Sequence, residues 1–84
     1  MKRYKITPAD RYRIQRFYAQ LAVMLRSQRI NSRMTQAELG RLTGLGQQRI
    51  SYLESPQARP QLSTLIKLSL AFGKRLSIFF SERY

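Results

Sequence analysis

The chain contains no cysteine, no histidine and no tryptophan, and its only acids are Asp10, Glu38, Glu54 and Glu82. Without cysteine there are neither disulfides nor thiolate metal sites, and the redox compartment leaves no mark on the composition. General acid–base and nucleophilic chemistry draw on grouped titratable side chains. Four scattered carboxylates do not supply them, so the inventory argues against an enzyme and offers no metal or cofactor site. Long apolar runs are missing too: the longest, LAVML at 21–25, is far too short to cross a bilayer. The basic start MKRYK leads into no hydrophobic signal region. A cytoplasmic protein is the expectation, with no membrane partner.

What the chain has in excess is positive charge. Sixteen Lys and Arg against four acids give a formal charge of +12 over 84 residues. Such an imbalance predicts a polyanionic partner. The length bounds the protein to one small domain whose own core is marginal, so oligomerisation is expected. The charge is uneven: +8 over residues 1–33, +1 over 34–61 and +3 over 62–84.

Thr7-Pro8-Ala9-Asp10 reads as a helix start, with Thr7 as N-cap, Pro8 in the first helical position and Asp10 in the first turn. No Gly or Pro follows until Gly40, and Ile14, Phe17, Leu21 and Leu25, with Tyr18 beside them, recur at helical spacing. A helix from about 8 to 31 follows, its stripe serving as core or as a dimer contact. A basic amphipathic helix on an anionic membrane is the alternative.

The stretch TQAELGRLTGLGQQRISYLE, Thr35 to Glu54, is denser in signals. Thr35 and Glu38 form a capping box, Leu39 and Leu42 give the helix behind it an apolar side, and Gly40 leaves room for a second helix to press close. Gly44 suits the left-handed residue that ends a helix and Gly46 an N-cap. The helix over 46–54 turns Ile50 and Leu53 inward, which leaves Gln47, Gln48, Ser51 and Tyr52 on the outer side. Helix, glycine turn, helix is the arrangement that presents a reading helix to the major groove. A glutamine both donates and accepts, matching the N6/N7 edge of adenine. Arg49, and Arg59 in the loop SPQARPQ at 55–61, are placed for phosphate contacts. LSTLIKLSLAF at 62–72 is apolar on most sides, which predicts a helix burying more than one face, stopped by Gly73. RLSIFFS, with Leu76, Ile78 and Phe80 alternating with Ser77, Phe79 and Ser81, reads as a strand. It pairs either with KRYKI at the start of the chain or with its own copy across a two-fold axis.

From about Leu21 to Phe80 these residues resemble the Cro/cI class of helix-turn-helix domains, the Xre family. TGLGQQRI is particularly similar to the lambdoid phage repressors. The resemblance implies a helical DNA-binding domain in which Gln47 and Gln48 read bases, while Gln36 binds a phosphate and braces the reading glutamine. Arg33, Thr43, Gly46 and Pro56 depart from the family's usual choices. The segment LESPQARPQLSTLIKLSLAFGKRLSIFF is similar to Hip-type antitoxins, which implies a strand paired across a homodimer and a kinase-like toxin as a further partner.

The expected fold is therefore mostly α, with four or five helices in a lambda-repressor-like arrangement and a short C-terminal strand. Residues 1–20 form a basic extension running into the first helix, 21–73 the helix-turn-helix domain with its motif at 35–54, and 74–84 a dimerisation strand through Leu76, Ile78, Phe79 and Phe80. The expected function is sequence-specific binding of double-stranded operator DNA as a homodimer, repressing transcription, and the resemblance implies a cytoplasmic, nucleoid-associated protein of bacterial or phage origin. A toxin-neutralising antitoxin and a basic RNA-binding protein are the alternatives.

Overall fold

The computed structural model describes residues 4–76, which form four helices: α1 (Pro8–Asn31), α2 (Gln36–Thr43), α3 (Gln47–Leu53) and α4 (Leu62–Ala71). Residues 4–6 are in no regular element, and no strand occurs among the described residues. The expected strand through Ile78, Phe79 and Phe80 lies outside them, while Leu76 is described and exposed.

Side-chain caps set the starts of α1 and α2. Thr7 caps α1 reciprocally with Asp10: the Asp10 amide donates to Thr7 Oγ1 at 3.2 Å and the Thr7 amide to Asp10 Oδ2 at 2.9 Å. Tyr4 and Arg13 also donate to that carboxylate, at 3.2 and 3.0 Å. These bonds, the Thr7 amide first, hold the Asp10 carboxyl at about 2, and the same contact pushes the Tyr4 phenol up. The box repeats at α2, with Glu38 amide to Thr35 Oγ1 at 3.0 Å and Thr35 amide to Glu38 Oε1 at 3.1 Å. The Thr35 amide holds the Glu38 carboxyl below its ordinary value.

α1 closes on a Schellman pair of bonds, Met34 amide to Arg29 carbonyl and Arg33 amide to Ile30 carbonyl, which puts Arg33 in the left-handed region at φ 57°. That is the position where the family usually has glycine, so the departure noted at Arg33 carries backbone strain. α4 ends in the same motif through Gly73 and Lys74.

The core is Leu39, Ile50, Leu53 and Leu68, each buried, with Leu25, Met34, Leu45, Ala71 and Phe72 packed around it. α2 packs against α3 and α4 against α2. Two small residues that carry no periodic signal, Ala22 and Ala58, are also buried.

Three expectations change. Leu42 does not share the inward side of α2: it is 62% exposed, and Gly40 is buried beside Leu39 instead. Second, α4 does not bury more than one face. Its inward face is Thr64 and Leu68, while Leu62, Ile66 and Leu70, one turn apart, stand at 52, 43 and 72% exposure. Among the described residues α4 packs against α2 on its inward side. Third, the α1 stripe divides. Tyr18, Leu21 and Leu25 are half-buried, whereas Ile14 and Phe17 project beyond the body of the domain.

Candidate nucleic-acid interface

The turn between α2 and α3 is set by close approach. A Cβ on Gly40 would lie 2.5 Å from the Gly46 carbonyl carbon and 2.7 Å from the Gln47 nitrogen, so only glycine lets the two backbones come this near. The contact carries a bond, Gly46 amide to Gly40 carbonyl at 3.1 Å. Gly44 ends α2 at φ 74°, and Gly46 precedes α3 at φ 88° and ψ 154°, a region essentially reserved for glycine. Gly46 thus replaces the family's usual Ser or Thr with a backbone conformation those residues avoid. Thr43, where the family is usually apolar, satisfies its hydroxyl locally: Oγ1 donates to the Leu39 carbonyl at 2.7 Å and accepts from the Leu45 amide at 3.3 Å.

With Ile50 and Leu53 locked into the core, α3 turns the rest of its circumference outward. Gln47, Gln48, Arg49, Ser51 and Tyr52 are all exposed, Tyr52 at 53%. None of these five side chains is tied to another by a hydrogen bond among the described residues. The two glutamine amides stand at the first two positions of the helix, free to meet an outside donor–acceptor pair.

Gln36 stands differently. It is half-buried at the start of α2, and its Nε2 donates to Glu54 Oε1 at 3.2 Å. The bracing bond the structure gives it thus runs to the end of α3. Glu54 is in turn gripped by Arg29 through Nε–Oε2 at 2.7 Å and Nη2–Oε1 at 3.1 Å, and Arg29 Nη1 donates to the Met34 carbonyl at 2.9 Å. Glu54 raises the affinity of the Arg29 guanidinium for its proton and keeps it charged. One carboxylate therefore joins the ends of α1 and α3 to the start of α2. No local signal singles out Arg29; with only four acids for sixteen bases, asking which base a core-flanking glutamate meets is what raises it.

Arg59 is held in the loop after α3. Its Nη1 donates to the Pro56 and Ala58 carbonyls at 3.3 and 2.9 Å, and its guanidinium carbon sits 4.3 Å from the centre of the Tyr18 ring on α1. The residue remains exposed, with Nε and Nη2 unbonded within the described chain. Buried Ala58 beside it pins the loop to the body.

Among the described residues no three His, Cys, Asp or Glu side chains come together, and no helix is long and apolar enough to cross a membrane. Comparison with curated proteins and with solved structures gives no significant match. A family model described as Helix-turn-helix matches residues 25–79, about two thirds of the chain, and spans all of α2, α3 and α4. The chain belongs to the Cro/cI-type (Xre) helix-turn-helix family of DNA-binding transcription regulators.

Proposed function

We propose that the protein binds a specific duplex operator as a homodimer and represses transcription from it. The observation that carries this reading is the outer face of α3: two unpartnered glutamines at its start, with Ser51 and Tyr52 one turn on, on a helix fixed by the Gly40–Gly46 contact. In the proposed complex α3 enters the major groove, where Gln47 and Gln48 read base edges. Gln36, Arg49 and Arg59 set the register on the phosphates, and Ser51 and Tyr52 line the groove wall. Tethering of Gln36 to Glu54 lowers the entropy lost when its amide meets a phosphate.

A single helix-turn-helix unit covers one half-site, and tight binding generally needs two units about one helical turn apart. The exposed row Leu62, Ile66 and Leu70 on α4 favours a two-fold contact on this side of the molecule. The experiment for the reading as a whole compares affinity for the gene's own upstream region with that for random duplex and for single-stranded RNA. Preference for the upstream duplex, together with a two-fold complex in sedimentation, supports it. Equal affinity for all three makes the protein a non-specific basic binder, and preference for RNA moves it to another class.

A further inference from the structure

Tyr18 lies on α1, ahead of the family-matched residues 25–79, and no step of the proposed complex uses it. Yet its ring is where Arg59 rests. The guanidinium carbon stands 4.3 Å from the ring centre, which places a cation against the electron-rich face. Phe17 supports the ring from the neighbouring position: the two centroids are 6.1 Å apart at 82°, an edge-to-face pair.

The loop supplies the other half of the clamp. Arg59 Nη1 donates to the Pro56 and Ala58 carbonyls, at 3.3 and 2.9 Å. That segment is itself tied to the end of α3. The Ala58 amide donates to the Ser55 carbonyl at 3.1 Å, and the Ser55 amide to the Tyr52 carbonyl at 2.9 Å. Ala58 is buried, and Pro56 and Pro60 restrict the chain on either side. The guanidinium is therefore held by one face and one corner. Among the described residues its other edge, Nε and Nη2, stays unbonded, and that edge can give two parallel bonds to the oxygens of a phosphate.

An arginine on a free loop loses its rotamer freedom when it grips a phosphate. This one is ordered before any DNA arrives. Tyr18 is half-buried and brings no charge, so its part is to aim the group.

We infer that Tyr18 is a positioning residue for DNA binding, its ring holding the Arg59 guanidinium with the Nε–Nη2 edge left free for a backbone phosphate. Through this contact α1 acts on the nucleic-acid interface. The phosphate role of Arg59 belongs to the proposed complex, and the inference rests on it.

The test titrates the full chain and its variants with a short random duplex at several salt concentrations. Binding there is almost wholly electrostatic and independent of base reading by α3. Arg59→Ala weakens it and shallows the salt slope by about 0.9. Tyr18→Leu weakens it by about three- to tenfold per bound domain but keeps the slope, because the charge remains and only its order is lost. Tyr18→Phe retains the ring face and binds like the parent. In an Arg59→Ala chain, adding Tyr18→Leu changes nothing further, whereas a merely structural role would show no dependence on Arg59.

Should the Leu variant fail to fold, Arg59→Lys at an exposed position takes its place. It keeps the charge but loses the fork, so affinity falls while the slope holds. The inference is overturned if Tyr18→Leu, or Arg59→Lys in its stead, binds like the parent. It is overturned equally if the Leu loss persists without Arg59. A loss for Tyr18→Phe as large as for Tyr18→Leu overturns it too, since the phenol would then meet the DNA itself. If Arg59→Ala changes neither affinity nor slope, the phosphate role of Arg59 falls together with the inference. Base reading by Gln47 and Gln48 is judged separately, on the operator.

Discussion

Arg29 and Glu54, 25 positions apart, meet through two parallel bonds of 2.7 and 3.1 Å with side chains only 11 and 5% exposed. The pair ties α1 to the end of α3, and Gln36 hangs from the same carboxylate. Removing one partner of such a pair strands the other charge in a nearly dry site. Arg29→Met is therefore expected to cost about 3 kcal/mol of stability in urea denaturation. A cost near zero would mean that water already reaches the carboxylate and that the pair does not hold the helices in place.

Gly40→Ala is the sharpest test of the turn. Alanine favours a helix over glycine by about 1 kcal/mol, yet its Cβ would press on the Gly46 and Gln47 backbone at 2.5 to 2.9 Å. Backbone atoms cannot step aside as a flexible side chain does, so the steric effect wins. A net loss of about 2 kcal/mol is expected in the same denaturation assay, with operator affinity falling as α3 shifts. Unchanged or improved stability would show that α2 and α3 are less closely apposed than described.

The two capping boxes make stability sensitive to acid. Asp10 is held at about 2, and Glu38 below its usual range, by amides that bond the charged form. A carboxyl depressed in the folded state stabilises it above the unfolded value, near 4, and that contribution disappears as pH falls through the folded value. The Tm should therefore drop between about pH 4.5 and 2. Part of any drop is general repulsion in a +12 chain, so the informative quantity is the difference from Asp10→Asn and Glu38→Gln. Both variants should start lower at pH 6 and lose less on acidification. Parallel Tm curves for variants and parent would remove the caps from the account.

Local signals made most of this fold legible. The start of α1 at Thr7, the Thr35–Glu38 box, the left-handed stop at Gly44 and the close approach at Gly40 each depend on neighbours within a few residues. Periodicity likewise placed Ile50 and Leu53 in the core. It could not say whether anything lies beneath an apolar stripe, which is why the Ile14–Leu25 stripe stayed open between core and dimer contact and the outer row of α4 read as buried. Long-range pairings left no local trace. Neither Arg29 with Glu54 nor Arg59 on Tyr18 follows from spacing, since each joins residues that only the tertiary fold brings together. For the interface, sequence placed Gln47, Gln48, Ser51 and Tyr52 on one exposed helix but gave no hint that Gln36 is tied to Glu54. The strand expected beyond Leu76, and the Hip-type resemblance resting partly on it, concern residues outside those described.

The claim that α3 reads sequence is tested most directly by measuring Gln47→Ala and Gln48→Ala against both the operator and a random duplex at one salt concentration. Their exposure means that neither change disturbs the core. The account predicts a loss of about 1–3 kcal/mol on the operator for each substitution and almost none on random DNA, so that the ratio of the two affinities collapses. Equal losses on the two duplexes, or none on either, would contradict base reading by these glutamines and leave α3 as a charged surface that tracks the backbone.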